Sequence, residues 1–138
     1  GHDGVILHSR DGGKTWQKQL DGRQLGQLMA TYYAANSTEV SDAQHWQQEA
    51  ERFLAEGADK PFLDVWFRDA QHGYAVGAFN LIWKTDDAGR SWQPQMHLTA
   101  NPGGYHLTGL ATVADDLFVV GEHGLVLRLD PSSGRFQA

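Results

Sequence analysis

Ser9-Arg10-Asp11-Gly12-Gly13-Lys14-Thr15-Trp16 returns 76 positions later as Thr85-Asp86-Asp87-Ala88-Gly89-Arg90-Ser91-Trp92. Both stretches follow Ser/Thr-x-Asp-x-Gly-x-Ser/Thr-Trp. A motif repeated this closely means that the chain is built from copies of one supersecondary unit. The repeat extends upstream. Gly1-His2-Asp3-Gly4-Val5-Ile6-Leu7-His8 precedes the first motif and Gly77-Ala78-Phe79-Asn80-Leu81-Ile82-Trp83-Lys84 precedes the second. A third row runs from Gly121-Glu122-His123-Gly124-Leu125-Val126-Leu127-Arg128 into Leu129-Asp130-Pro131-Ser132-Ser133-Gly134-Arg135-Phe136. An aromatic closes each row 15 positions after its first glycine. The third row is degenerate: Pro131 stands at the aspartate position and its glycine is displaced by one.

These residue types suit a turn between two strands. The carboxylates of Asp11 and Asp87 can accept bonds from turn N–H groups, as short polar side chains do. Gly13 and Gly89 supply a backbone free to take positive φ. Ser9 and Thr85 add local hydroxyl bonds, and Trp16 and Trp92 are expected to pack over the turn and bury a large area. The repeated residues are therefore read as structural. One carboxylate per turn, without further ligands at fixed spacing, is a poor metal site.

Read coarsely, residues 4–9 and 15–20 form a hairpin. Residues 62–68, 74–79, 81–85 and 91–97 form one four-stranded meander, and residues 105–113, 117–121, 125–129 and 135–137 another. Four-stranded antiparallel units of this kind are propeller blades. The expected class is all-β, with about two and a half blades of a larger propeller. The expected divisions are a half blade over 1–20, a helical insert over 21–60, and blades over 61–98 and 105–138. The insert follows from spacing: Leu25, Leu28, Met29 and Tyr32 recur at helical intervals, as do Trp46, Ala50, Phe53 and Leu54. Ser41-Asp42-Ala43-Gln44 reads as a capping box opening the second helix, and Gly57 and Pro61 end it. Insertions into repeats map to one face, often the binding face. Two readings follow: the apolar stripes pack locally, or Tyr32, Tyr33, Trp46 and Phe53 grip a partner, aromatics being common interface anchors.

Composition narrows the function. The net charge is −6, with no basic stripe, which disfavours a nucleic-acid partner. There is no cysteine, hence no disulfide or thiol chemistry. No run of 18 apolar residues suits a membrane span. The chain begins inside a repeat, so a targeting segment is expected to lie outside it. Open blade edges favour self-association. His2, His8, His45, His72, His97, His106 and His123 show no metal-ligand spacing. His72 is instead expected to stabilise its turn, and His2 and His123 to lie on the surface of corresponding hairpins.

The motif resembles the Asp-box, or BNR, repeat. The run Phe62-Leu63-Asp64-Val65-Trp66-Phe67-Arg68-Asp69-Ala70-Gln71-His72-Gly73-Tyr74-Ala75-Val76-Gly77, leading into the second box, is similar to the photosystem II stability and assembly-factor-like family of β-propellers. The resemblance spans about two-thirds of the chain, outside residues 21–60. It implies a seven-bladed propeller, located outside the cytoplasm, that helps a membrane complex assemble. The photosynthetic members carry a basic arginine patch that this acidic chain does not reproduce, so their client is not carried over. Other Asp-box proteins are sialidases, which makes a glycan-binding or glycosidase-type protein the alternative. That chemistry needs a carboxylate pair or a tyrosine nucleophile, with an arginine cluster; Asp64, expected to face an axial channel, is a single acid. The reading therefore assigns no catalytic, cofactor or metal residue. It favours a non-enzymatic, periplasmic or otherwise extracytoplasmic scaffold that binds protein.

Overall fold

A computed structural model describes residues 2–57 and 59–138; Gly1, the first repeat glycine, and Ala58, in the expected insert, lie outside the described residues. The architecture is a partial β-propeller with an α-helical insert. Strands β1 (Ile6–His8) and β2 (Gln17–Leu20) pair as an antiparallel hairpin. Helices α1 (Gly22–Ala35) and α2 (Ala43–Glu56) follow. Strands β3 (Phe62–Phe67), β4 (Gly73–Gly77), β5 (Leu81–Thr85) and β6 (Gln93–Pro94) form one antiparallel sheet in sequence order. Strands β7 (Leu107–Val113), β8 (Asp116–Gly121), β9 (Val126–Asp130) and β10 (Arg135–Gln137) form the second.

The repeat glycine has a steric cause. A Cβ on Gly77 would sit 2.2 Å from the Pro61 carbonyl oxygen, and one on Gly121 would sit 2.5 Å from that of His106. These are equivalent contacts, where the second strand of each blade crosses the chain entering its first strand. The turn that follows is also shared. Asp3 and Gly4, Phe79 and Asn80, and His123 and Gly124 all take positive φ. The N–H groups of Val5, Leu81 and Leu125 close these turns onto the carbonyls of His2, Ala78 and Glu122. Positive φ at both central residues is the type I′ geometry that suits the strand twist of a hairpin. His2 and His123 are exposed here, His2 one place ahead of His123 in the repeat.

Several expected boundaries shift. The fourth strand of the middle blade, expected over 91–97, is only Gln93–Pro94. Pro94 offers no N–H to extend the ladder, and Met96–Leu98 winds into a 3-10 turn. The expected capping box at Ser41-Asp42-Ala43-Gln44 does not form. Asp42 enters α2 with a left-handed backbone, φ 59°, and its side chain makes no capping bond. The reciprocal box opens α1 instead. Arg23 N–H donates to Asp21 Oδ1 at 3.0 Å and Asp21 N–H donates to Gln24 Oε1 at 3.1 Å.

The two sheets pack face to face. Trp66, Tyr74 and Lys84 are aligned across β3, β4 and β5, with Val76 and Ile82 paired two rows further on, on the same face. Leu110, Val119 and Leu127 are aligned across β7, β8 and β9. The Tyr74 and Phe136 rings meet edge to face at 5.3 Å, and Leu110 N–H donates to Asp64 Oδ2 at 2.8 Å. Asp64 is thus turned towards the neighbouring blade, where its carboxylate satisfies an inner-strand amide, and does not stand free in a channel.

Candidate functional site

The two motif turns have one bonding pattern. In the first, Thr15 N–H and its hydroxyl donate to the two oxygens of Asp11 at 2.8 and 2.6 Å, and Gly13 N–H donates to Ser9 Oγ at 2.8 Å. In the second, Ser91 N–H and its hydroxyl donate to Asp87 at 2.8 and 2.5 Å, and Gly89 N–H donates to Thr85 Oγ1 at 2.9 Å. Each indole N–H donates to its glycine carbonyl, Trp16 to Gly13 at 3.0 Å and Trp92 to Gly89 at 3.1 Å. The Thr15 hydroxyl and amide hold the Asp11 carboxyl down to about 2, and Ser91 holds Asp87 below its usual range in the same way. The expectation that both tryptophans bury a large area fails for one of them. Trp92 is 5% exposed but Trp16 is 59% exposed. The local bonds fix the ring; Trp92 also meets Phe67 of β3 edge-on at 6.2 Å, and no such ring lies against Trp16 among the described residues.

The third turn rebuilds the device one place earlier. Asp130 accepts from Ser132 N–H at 3.1 Å and from the hydroxyls of Ser132 and Ser133 at 2.8 and 2.9 Å. The sequence signal was present, an aspartate followed by two serines, but in shifted register. His72 lies in the β3–β4 turn, where Asp69 Oδ1 accepts from Gln71 N–H and His72 N–H, each at 2.8 Å, with the His72 ring Nδ1 at 2.9 Å.

The four aromatics considered for partner binding divide. Tyr33 is fully buried, and Phe53 is 6% exposed. Tyr32 and Trp46 are half-buried. The physical reason is an aromatic knot that docks the helices on the sheet. Tyr33 stacks on Trp46 at 5.9 Å, meets Tyr32 edge-on at 5.4 Å, and lies 5.2 Å from the His97 ring. Tyr33 Oη is 3.0 Å from His97 Nδ1. Burial pushes His97 down to about 4, so at neutral pH the imidazole is neutral and shares a hydrogen bond with the Tyr33 hydroxyl.

Beside this knot a cleft of about 440 Å³ opens between α2 and the link between the blades. Met29, Trp46, Phe53 and Met96 supply its apolar surface, and His45, Glu49 and Arg52 supply charge. Arg52 is held by Glu49 at 2.5 Å. The opposite wall is rigid: Asn101 Nδ2 donates to Asn80 Oδ1 at 3.0 Å and to the Tyr105 carbonyl at 2.9 Å. Lys60 is buried against Glu56 and Asp59, with its ammonium 4.5 Å from the centre of the Phe53 ring.

Phe79 lines the same cleft and is the residue that sequence reasoning missed. It occupies the left-handed position of its turn, φ 54°, with 54% of its surface exposed. The sister turns place Asp3 and His123 there. A bulky residue in this conformation is a true outlier. It is held by its N–H donating to His106 Nδ1 at 2.8 Å and by ring contact with His106 at 4.6 Å. Only the alignment of the three turns could have marked it.

A family model described as Photosynthesis system II assembly factor YCF48 matches residues 38–135. The chain belongs to this family. The match runs from just before α2 to the start of β10, so part of the segment set aside by the sequence resemblance falls within it, while the first motif turn falls outside. No curated protein matches the chain, and no solved structure does. Among the described residues, no helix is long and apolar enough to cross a membrane.

Proposed function

We propose that this chain is a non-catalytic accessory or assembly factor that works outside the cytoplasm on a membrane-associated complex. The cleft between α2 and residues 99–104 receives an apolar side chain of the client protein. Membership of an assembly-factor family supports the class of function. Phe79 carries the assignment of the site. A left-handed non-glycine residue costs about 1–2 kcal/mol, and an exposed phenylalanine ring gains little on folding. Both costs fall at the mouth of an apolar cleft, where a binding role accounts for them. Strained residues of this kind collect at ligand clamps.

The test exploits the opposition between stability and binding. Phe79→Asn suits a left-handed turn and should raise the melting temperature by about 2–5 °C. The same substitution should reduce capture of the client complex from native envelope extract at least about tenfold, equivalent to 1.4 kcal/mol. Trp46→Ala should reduce capture as well. If both variants retain wild-type capture, the cleft is not the contact.

A further inference from the structure

The middle repeat turn is held by a group that can change its charge. Three successive N–H groups of that turn have acceptors outside it. Ala78 donates to the Pro61 carbonyl at 3.1 Å, Phe79 to His106 Nδ1 at 2.8 Å and Asn80 to the Tyr105 carbonyl at 3.2 Å. The outer acceptors are backbone carbonyls; the middle one is an imidazole. In the third repeat turn the corresponding N–H, on His123, has no side-chain acceptor among the described residues. A backbone amide can only donate. His106 Nδ1 therefore presents its lone pair to Phe79, and the ring proton sits on Nε2. A second proton on the ring occupies that lone pair and cancels the bond.

The surroundings give the protonated ring somewhere to go. His106 is anchored at its backbone, where its N–H donates to Glu122 Oε1 at 2.7 Å. Its Nε2 lies 3.9 Å from the same carboxylate oxygen, beyond hydrogen-bond distance. An imidazolium that turns towards Glu122 gains a charge-assisted bond and leaves Phe79. The Phe79 ring, 4.6 Å from that of His106, then loses both contacts that keep it at the mouth of the cleft. The other charged and titratable groups nearby are engaged elsewhere. Lys60, 5.9 Å from the Phe79 ring centre, is held by Glu56 and Asp59. His123 lies against the Tyr105 ring at 4.7 Å, and His45 against Trp46 on the α2 wall at 4.8 Å.

We infer that His106 is a pH-sensitive latch on Phe79. Neutral, it holds the ring at the cleft; protonated, it turns to Glu122 and lets the ring go. The link to function rests on the cleft being the client's contact. Imidazole gains its proton between about pH 8 and about pH 5, so the client is held at the upper end of that range and released at the lower.

NMR on the intact chain across this range tests the latch without a client. Protection of the Phe79 amide from hydrogen exchange should fall at least about tenfold, the loss of one hydrogen bond. The fall should share its midpoint with the His106 ring signals. His106→Asn keeps an acceptor and does not titrate, so its Phe79 amide should stay protected throughout. His106→Phe has no acceptor and should leave that amide unprotected even at the alkaline end. Unchanged protection while His106 titrates overturns the latch and leaves the cleft assignment standing; so does a His106 ring that never titrates in this range. Capture of the client complex from envelope extract should fall with the same midpoint in wild type and stay level in His106→Asn. A loss on acidification that persists in His106→Asn overturns the link and traces it to other groups, His45 among them. If the amide transition occurs but Phe79→Asn and Trp46→Ala retain capture, the cleft reading fails, and the latch's role in client release fails with it.

Discussion

Asp87 accepts from Thr85, from the Ser91 amide and from the Ser91 hydroxyl. Asp87→Ala leaves those donors unpaired and should cost about 1–3 kcal/mol, read by urea denaturation. Asp11→Ala should cost less, because water reaches its more exposed turn. A carboxyl held below its unfolded value contributes stability above that value and loses it on acidification. For Asp11 the window runs from 3.8 down to about 2. Gly77 is constrained differently. Its φ is an ordinary extended value, but a Cβ would meet the Pro61 carbonyl oxygen at 2.2 Å. Gly77→Ala should therefore destabilise by about 1–3 kcal/mol through forced backbone movement, detectable as a lowered melting temperature.

The helical pair depends on the aromatic knot for its position. His97 provides a pH readout of that docking. Its folded value, about 4, lies below the ordinary 6.5. Below pH 6.5 the unfolded chain binds a proton that the folded chain refuses. This contribution is complete above 6.5 and is lost as pH falls towards about 4. His97→Asn keeps a hydrogen-bonding group for Tyr33 and removes the titration. Melting temperatures of the variant should therefore fall less steeply than wild type across that window. Parallel curves would mean that burial does not keep His97 neutral in the folded chain. Helical spacing made both helices legible, but not their burial. Tyr33 is buried beside half-buried Tyr32, because the α1 face was set by packing against α2 and against His97, 64 positions on in the 3-10 turn at Met96–Leu98.

Contact between blades governs the whole molecule. Asp64 reaches across 46 positions to the Leu110 amide. Asp64→Ala should cost about 1–3 kcal/mol, whereas Asp64→Asn keeps an acceptor and should unfold close to wild type. Equal losses for the two variants in urea would show that the charge, rather than the bond, is what matters.

The repeated motif and its glycines determined the hairpins, the turn chemistry and the propeller class, because those depend on residues a few places apart. They also carried the family resemblance. Tertiary structure alone decided which copies of the unit are finished. Trp16 and Trp92 share a motif and the same indole bond, yet one is exposed and the other buried. Burial depends on what strands outside the motif place over the ring, as β3 places Phe67 against Trp92, and a local sequence motif does not encode those strands. The cleft has the same origin. Trp46, Phe79 and Asn101 lie far apart in the chain and line one cleft only after the helices dock against the link between the blades.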